Sequence, residues 1–259
     1  MKTALNNGVT ILPSQDVLTL LRHQTKRVSV IMLDPWYNRG VGGVRSDYAT
    51  WLQELVALAA QHTDHIFLWG FPELVYPVLD RLPKNFSLLA WLTWYYKNCP
   101  SVIRGWRSAQ STCLHLVSPD AKTYPENFLN EAQVEKRKQG KMRYMPGPPS
   151  VLEVPLNIGF VGKNEQTGHP AQKPEKVIEP LILMATRVGD TVLDPMCGSG
   201  TTGAVCQKLG RKAILCDSSN EYLEVTRKRL SARNGFSRQK IPSKTCTLRV
   251  SLSQEQLAI

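Results

Sequence analysis

The 259-residue sequence predicts an α/β fold: a mostly parallel sheet with helices on both faces and a small insertion lobe. Three observations carry this expectation. Short apolar runs alternate with helix-period stretches along most of the chain, as in a parallel sheet buried on both faces. Several of those runs end in an acid: Val28 to Leu33 meets Asp34, Asp190 to Leu193 meets Asp194, and Ala213 to Cys216 meets Asp217. A glycine-rich turn, Asp194-Pro195-Met196-Cys197-Gly198-Ser199-Gly200-Thr201-Thr202, joins one such run to a helical stretch.

In chain order, Gly8 to Leu12 is a short strand and Asp16 to His23 a helix with Val17, Leu18, Leu20 and Leu21 apolar. Val28 to Leu33 is a buried strand that ends at Asp34-Pro35-Trp36-Tyr37, with the loop from Asn38 to Gly43 behind it. Tyr48 to Gln61 reads as a helix, His65 to Trp69 as a strand, and Pro72 to Leu82 as a helix with proline near its start. Phe86 to Tyr95 and Thr112 to Val117 are two further strands. From Ser118 to about Gly168 the chain turns polar and proline-rich. Six Lys or Arg face three Glu between Ala121 and Pro149, which reads as an insertion lobe or a long surface loop. A helix runs from Lys173 to Thr186, another from Thr201 to Leu209, and a last one from Asn220 to Arg233. Between Val225 and Gln254 there are eight Lys or Arg and no acid, either a phosphate-contacting segment or a solvated helix face and tail.

The net charge of +11 favours a polyanionic partner, nucleic acid before an anionic membrane, although a merely basic soluble protein has the same composition. No run of about 18 apolar residues exists to span a bilayer, and Met1 to Asn7 lacks an apolar signal core. The six cysteines form no Cys-x-x-Cys pair and lie mostly in apolar runs, so they read as reduced thiols of a cytoplasmic protein. The histidines have no metal-ligand spacing, and no metal site is expected.

The glycine turn has chemistry of its own. Gly198 and Gly200 lack a Cβ, so backbone can approach a ligand, and the start of the next helix offers unpaired N–H groups. Asp217, ending the following strand, can accept from both hydroxyls of a ribose. These features suit a nucleoside cofactor; a tight strand-to-helix connection without a ligand has the same pattern.

Three motifs together carry a resemblance. Asp34-Pro35-Trp36-Tyr37 resembles the Asp-Pro-Pro-Tyr motif of amino-methyltransferases. Gly168-His169-Pro170-Ala171-Gln172-Lys173-Pro174 resembles their His-Pro-x-Gln-Lys-Pro segment, and Asp194 to Thr202 resembles their Asp-Pro-Phe-x-Gly-Ser-Gly-Thr-Thr cofactor loop. In this order the motifs are similar to the permuted β group of DNA methyltransferases that act on exocyclic amines. The resemblance covers roughly Gly8 to Leu230.

It implies a Rossmann-like S-adenosylmethionine-dependent methyltransferase fold and S-adenosylmethionine as cofactor. It also implies double-stranded DNA as substrate, a base flipped from the helix, and transfer to N6 of adenine in preference to N4 of cytosine. The catalytic residues implied are Asp34, Pro35, Trp36 and Tyr37: the Asp34 carboxylate and Pro35 carbonyl accept from the target amine, and Tyr37 stacks on the base. Asp34, His169, Gln172, Lys173, Asp194, Pro195, Met196, Cys197, Gly198, Ser199, Gly200, Thr201, Thr202, Asp217 and Ser218 would line the cofactor site. Among them, Asp194 would meet the cofactor ammonium, Asp217 its ribose, and Lys173 its carboxylate or solvent. The expected organisation is a catalytic half at 1–117, a target-recognition insertion at 118–168, a cofactor half at 169–234 and a basic tail at 235–259. The oligomeric state stays open, a homodimer included.

The sequence departs from the family pattern at Trp36, at Gln110-Ser111 where a His-Glu pair is usual, and at Pro13-Ser14 where Gly-Asp is usual. Cys99-Pro100 reverses the Pro-Cys context of thiolate-dependent carbon-5 methylation, so that mechanism is not expected. An RNA amino-methyltransferase and a catalytically degenerate nucleic-acid-binding protein are the competing readings.

Overall fold

The computed structural model describes residues 3–4, 8–39, 43–99 and 105–232. The expected basic tail at 235–259 lies outside them. The elements are β1 (Thr3–Ala4), β2 (Val9–Ile11), α1 (Val17–Arg22), β3 (Val30–Leu33), α2 (Tyr48–Ala59), β4 (His65–Gly70), α3 (Pro72–Val75), β5 (Ser87–Tyr95), β6 (Gln110–Val117), α4 (Glu131–Lys138), β7 (Val151–Glu153), α5 (Glu175–Ala185), β8 (Thr191–Asp194), α6 (Thr201–Leu209), β9 (Lys212–Leu215) and α7 (Asn220–Ala232), with 3-10 turns at Tyr76–Arg81 and Pro125–Phe128.

The strands form one sheet in the order β1-β2-β9-β8-β3-β4-β6-β5-β7. From β2 through β4 every pairing is parallel. Strand β6 pairs antiparallel with both β4 and β5. The expected α/β architecture with a mostly parallel sheet is therefore observed. Side-chain alternation divides its core. Val30, Met32, Phe67 and Trp69 pack with α5, α6 and α7 on one face. Ile31, Leu33, Ile66 and Leu68 pack with α1 and α2 on the other.

Two stretches differ from expectation. The helix expected from Pro72 to Leu82 is one short α-turn followed by 3-10 geometry. Pro77 has no N–H to donate, and its ring would meet the carbonyl of Glu73 in a continuing α-helix. The polar stretch 118–168 also contributes to the main sheet: β7 pairs with Thr93–Tyr95 of β5, and Leu152 and Val154 are buried in the core. Val117 pairs with His65, so this stretch leaves the sheet at its amino edge and returns through β7 toward the carboxyl edge. Among the described residues no helix is long and apolar enough to cross a membrane.

A pair of buried histidines bridges β4 and β6. His115 stacks on Phe67, ring centroids 4.1 Å apart, and its Nε2 lies 3.0 Å from His65 Nδ1. His65 Nε2 lies 3.1 Å from the Lys122 carbonyl. A carbonyl only accepts, so His65 donates through Nε2 and its Nδ1 accepts from His115. Burial, then the neighbouring His65, pushes His115 down to about 3. The unfolded chain, with an ordinary histidine near 6.5, binds this proton first. Stability is therefore present above about pH 6.5 and lost as pH falls toward 3. We expect imidazole nitrogen shifts to show His115 neutral at pH 5 in the folded protein, while the melting temperature falls between pH 7 and 5. A charged His115 ring at pH 5 would contradict the pairing.

Candidate active site

Strands β3 and β8 are adjacent and parallel, with Val30 opposite Val192 and Ile31 opposite Leu193. The chain continues from β3 outward through β4, and from β8 outward through β9 in the other direction. The carboxyl edge at such a reversal opens into a crevice. Here it holds a cavity of about 690 Å³, within the size range of small-molecule sites. Every sequence-expected site residue lines it except Gly200.

The glycine turn is held from several sides. Asp217 Oδ2 accepts from the Gly198 N–H at 2.9 Å, and its Oδ1 from the Ser219 N–H at 2.9 Å. The Thr226 hydroxyl donates to the Gly198 carbonyl at 2.8 Å. Behind the turn, Arg229 donates to the Thr201 hydroxyl at 2.9 Å, to the Ser199 carbonyl at 3.2 Å and to Glu175 at 3.1 Å. Arg229 and Glu175 side chains are both nearly inaccessible.

Gly198 and Gly200 both have positive φ, +48° and +76°. Protein side chains take up the space that the missing Cβ atoms leave. A Cβ on Gly198 would lie 2.9 Å from His169 Nε2, and one on Gly200 would lie 2.7 Å from Thr226 Cγ2. The glycines admit protein side chains, and Gly200 serves the α6–α7 packing, not the cavity wall.

Asp194, at the end of β8, is buried. Its Oδ1 accepts from the Met196 N–H at 3.1 Å. Burial pushes its carboxyl up to about 7, against hydrogen bonds from the Thr202 hydroxyl and Met196 N–H. His169 accepts from the Ala171 N–H through Nδ1 at 3.2 Å and packs edge-on against Tyr222. Burial lowers its pKa. The Gln172 amide is used inside its own loop: it accepts from the Thr167 hydroxyl at 2.7 Å and donates to the Glu165 carbonyl at 2.6 Å.

Facing the turn, Asp34 and Tyr37 converge on Lys173. Its ammonium donates to both Asp34 oxygens at 2.5 Å each and to the Tyr37 hydroxyl at 3.1 Å. It also lies 4.9 Å from the centre of the Trp69 ring. The Lys173 side chain is 4% exposed, which rules out the solvent-facing alternative. Burial alone would lower its pKa, but Asp34 and Tyr37 outweigh burial and hold the ammonium above its ordinary range. Trp36 packs against both Tyr48 and Trp51. It donates to the Gly43 carbonyl at 3.2 Å, and its own carbonyl accepts from the Tyr48 hydroxyl. It thus walls the cavity and packs the core at once.

Several contributors carried no motif signal. Phe71, just after β4, meets the Tyr37 ring at 4.7 Å, and the Arg39 guanidinium lies over the Phe71 ring at 4.2 Å. Trp69, Asp16 and Tyr222 also line the cavity. Asp16 had a local signal, as an acid at a helix start; it caps α1 through the Thr19 N–H at 2.9 Å. At the departing position, Ser111 donates to the Gly70 carbonyl at 3.3 Å and is buried.

A family model described as DNA methylase, N6/N4 type, matches residues 28–228. The chain is 30% identical over 248 residues to the type II methyltransferase M.HpaI of Haemophilus parainfluenzae, covering 86% of this chain and 74% of that one. It is 27% identical over 259 residues to the DNA adenine methyltransferase YhdJ of Escherichia coli (strain K12), covering 91% and 87%. Among solved structures, the M1.HpyAVI–SAM complex superposes with a TM-score of 0.65 at 25% identity, covering 86% of this chain and 98% of that one.

The geometry at Gly200 predicts a stability effect. Gly200→Ala adds left-handed strain to a steric conflict with Thr226, a cost of about 2–4 kcal/mol. Denaturant unfolding measures it, and Thr226→Ser, which removes the nearest methyl, should restore part of the loss. An unchanged midpoint in Gly200→Ala would mean that the turn tolerates a side chain there.

Proposed function

The chain belongs to the N6/N4 family of DNA methylases, and from that premise we propose that it transfers a methyl group from S-adenosylmethionine to the exocyclic amine of a base flipped from double-stranded DNA, N6 of adenine in preference to N4 of cytosine. The observation that carries this reading is a juxtaposition. Asp34 and the glycine turn at Asp194, 160 positions apart in the sequence, open on one cavity at the ends of neighbouring strands.

The donor set suits the cofactor. Each Asp217 oxygen accepts one backbone N–H, which leaves lone pairs for two ribose hydroxyls. Asp194 suits the ammonium of the methionine end, with the turn Pro195-Met196-Cys197-Gly198-Ser199 along it and Thr201 and Thr202 at the helix start. Ser218 is assigned to the adenine edge, and His169 and Gln172 shape the opposite wall.

When bound, the cofactor supplies an electrophilic methyl group on a sulfonium. The residues of the chain do the rest. An exocyclic amine is a poor nucleophile because its lone pair is delocalised into the ring. The Asp34 carboxylate and the Pro35 carbonyl accept from its N–H groups, drawing the nitrogen toward tetrahedral geometry and stabilising the charge it acquires. As the nitrogen–carbon bond forms, the carbon–sulfur bond breaks with its electrons left on sulfur, and the extra proton leaves to water. Tyr37, backed by Phe71, offers a stacking face for a flipped base, and Trp36 holds the loop that presents it.

An Asp at the head of the catalytic motif favours adenine, and the similarity to YhdJ, named as an adenine methyltransferase, supports the same choice. We assign target recognition to residues 118–168 between a catalytic half at 1–117 and a cofactor half at 169–234. Lys136, Arg137 and Lys138 end the exposed helix α4, and Phe160 is 94% exposed on the return toward the carboxyl edge. The buried thiols Cys113, Cys197, Cys206 and Cys216 suit a reducing cytoplasm.

Methylation of mixed-sequence DNA followed by nucleoside mass spectrometry tests the reaction, with N6-methyladenine the expected product and Asp34→Ala inactive. N4-methylcytosine would reassign the base; no methylated DNA would favour an RNA substrate or a degenerate site. The Asp194 assignment has a pH signature. Its carboxyl loses charge below about 7, so affinity for S-adenosylmethionine should rise through that pH. Affinity should then fall as the ligand's own amino group, with a pKa of about 8, deprotonates. Calorimetry from pH 6 to 9 reads this curve, and Asp194→Asn should flatten its acid side. Equal affinity at pH 6 and 7.5 in the unaltered protein would remove Asp194 from the ammonium site.

A further inference from the structure

We propose that Lys173 is a positioning residue for methyl transfer: it fixes the Asp34 carboxylate and the Tyr37 phenol in one frame and does not clamp the cofactor's carboxylate. This rests on the methyl-transfer reading above and departs from the role its motif implies.

The first argument is where the charge is matched. The Lys173 ammonium sits 2.5 Å from each Asp34 oxygen and 3.1 Å from the Tyr37 oxygen, so a cofactor carboxylate would have to compete with Asp34 for it. Accepting from one side does not exhaust Asp34. An ionised carboxylate has about four lone-pair positions, and two remain for the target amine. Asp34 is the more open partner, 25% exposed against 4% for Lys173. The buried side of the carboxylate is thus tethered while its open side faces the cavity.

The second argument is where Lys173 itself is anchored. Its carbonyl accepts from the Thr201 hydroxyl at 2.9 Å, and that oxygen also receives Arg229 at 2.9 Å. Arg229 in turn pairs with Glu175, two residues beyond Lys173. The backbone of Lys173 is therefore fastened to the start of α6 and the glycine turn, while its side chain crosses to the end of β3. The Trp69 ring, its centre 4.9 Å from the ammonium, limits where that charge can go. One side chain sets the distance between the acceptor of the target amine and the cradle of the methyl donor. In-line transfer depends on that distance, and a misplacement of about 1 Å costs on the order of a hundredfold in rate.

The test uses the full chain and separates rate from cofactor binding. Lys173→Met keeps the length of the stem and removes the charge. The expected result is a loss of about a hundredfold in single-turnover methylation, with the dissociation constant for S-adenosylmethionine within about threefold of the unaltered protein by calorimetry. The preference for S-adenosylmethionine over its decarboxylated analogue should be the same in both proteins. A collapse of that preference in Lys173→Met would assign Lys173 to the cofactor carboxylate and overturn the proposal, as would an undiminished rate. If Lys173→Met does not fold, Lys173→Arg keeps a cation beside Asp34. It should retain the analogue preference and lose rate, and a lost preference again overturns the assignment. Failure of the unaltered chain to methylate DNA would instead overturn the reading on which this rests.

Discussion

The parallel pairing of β3 with β8 is the constraint on which the remainder of this structure depends. Backbone hydrogen bonds between these two strands, with Val30 opposite Val192, put the ends of two distant segments side by side. Each end carries an acid, Asp34 and Asp194. Because the chain grows outward from this pair in both directions, the helices of one half cover one face and those of the other half the opposite face. A slip of one residue in this register would turn Met32 and Ile31 to the wrong faces, so the core that stabilises the sheet also fixes the edge that carries both acids.

Around that edge lie two ion pairs. Glu175 with Arg229 and Lys173 with Asp34 remove charges from water, and removal of charge from water is costly enough that such pairs contribute little net stability. Their effect is positional. The first pair backs the glycine turn from α7, and the second ties that turn to the loop that begins at Asp34. Asp194 stands apart: its hydrogen bonds do not offset its burial, and its carboxyl is poised near neutrality. A poised acid lining a cavity is a feature of working sites.

Much of this was legible in the residues alone. The α6 boundaries, Thr201 to Leu209, follow from the glycines on both sides, and the strands β3, β4, β8 and β9 follow from apolar runs that end in turns or acids. The motif residues line one cavity, with Gly200 the exception. What escaped the reading shares one property: it depends on partners remote in sequence. Phe71 has no motif, and its contact with Tyr37 exists only because β4 ends beside β3. Arg229 looked like part of a basic stretch, yet it is buried against Glu175 across 54 positions. Val151 to Glu153 looked like part of a polar insertion because only Leu152 of the three is buried, and the edge position of β7 exposes the other two.

The sequence by itself determined the alternation of elements, the two acid-ended strands, the glycine turn and the order in which the three motifs occur. Each of these is written locally, in side-chain period, in the backbone freedom of glycine and in the fixed geometry of proline. Only the tertiary structure decided that Lys173 meets Asp34, that Gly200 yields space to Thr226, and that Asp194 is buried enough to titrate near neutrality. Those outcomes depend on distance and desolvation between groups far apart in the chain, quantities that no local pattern encodes.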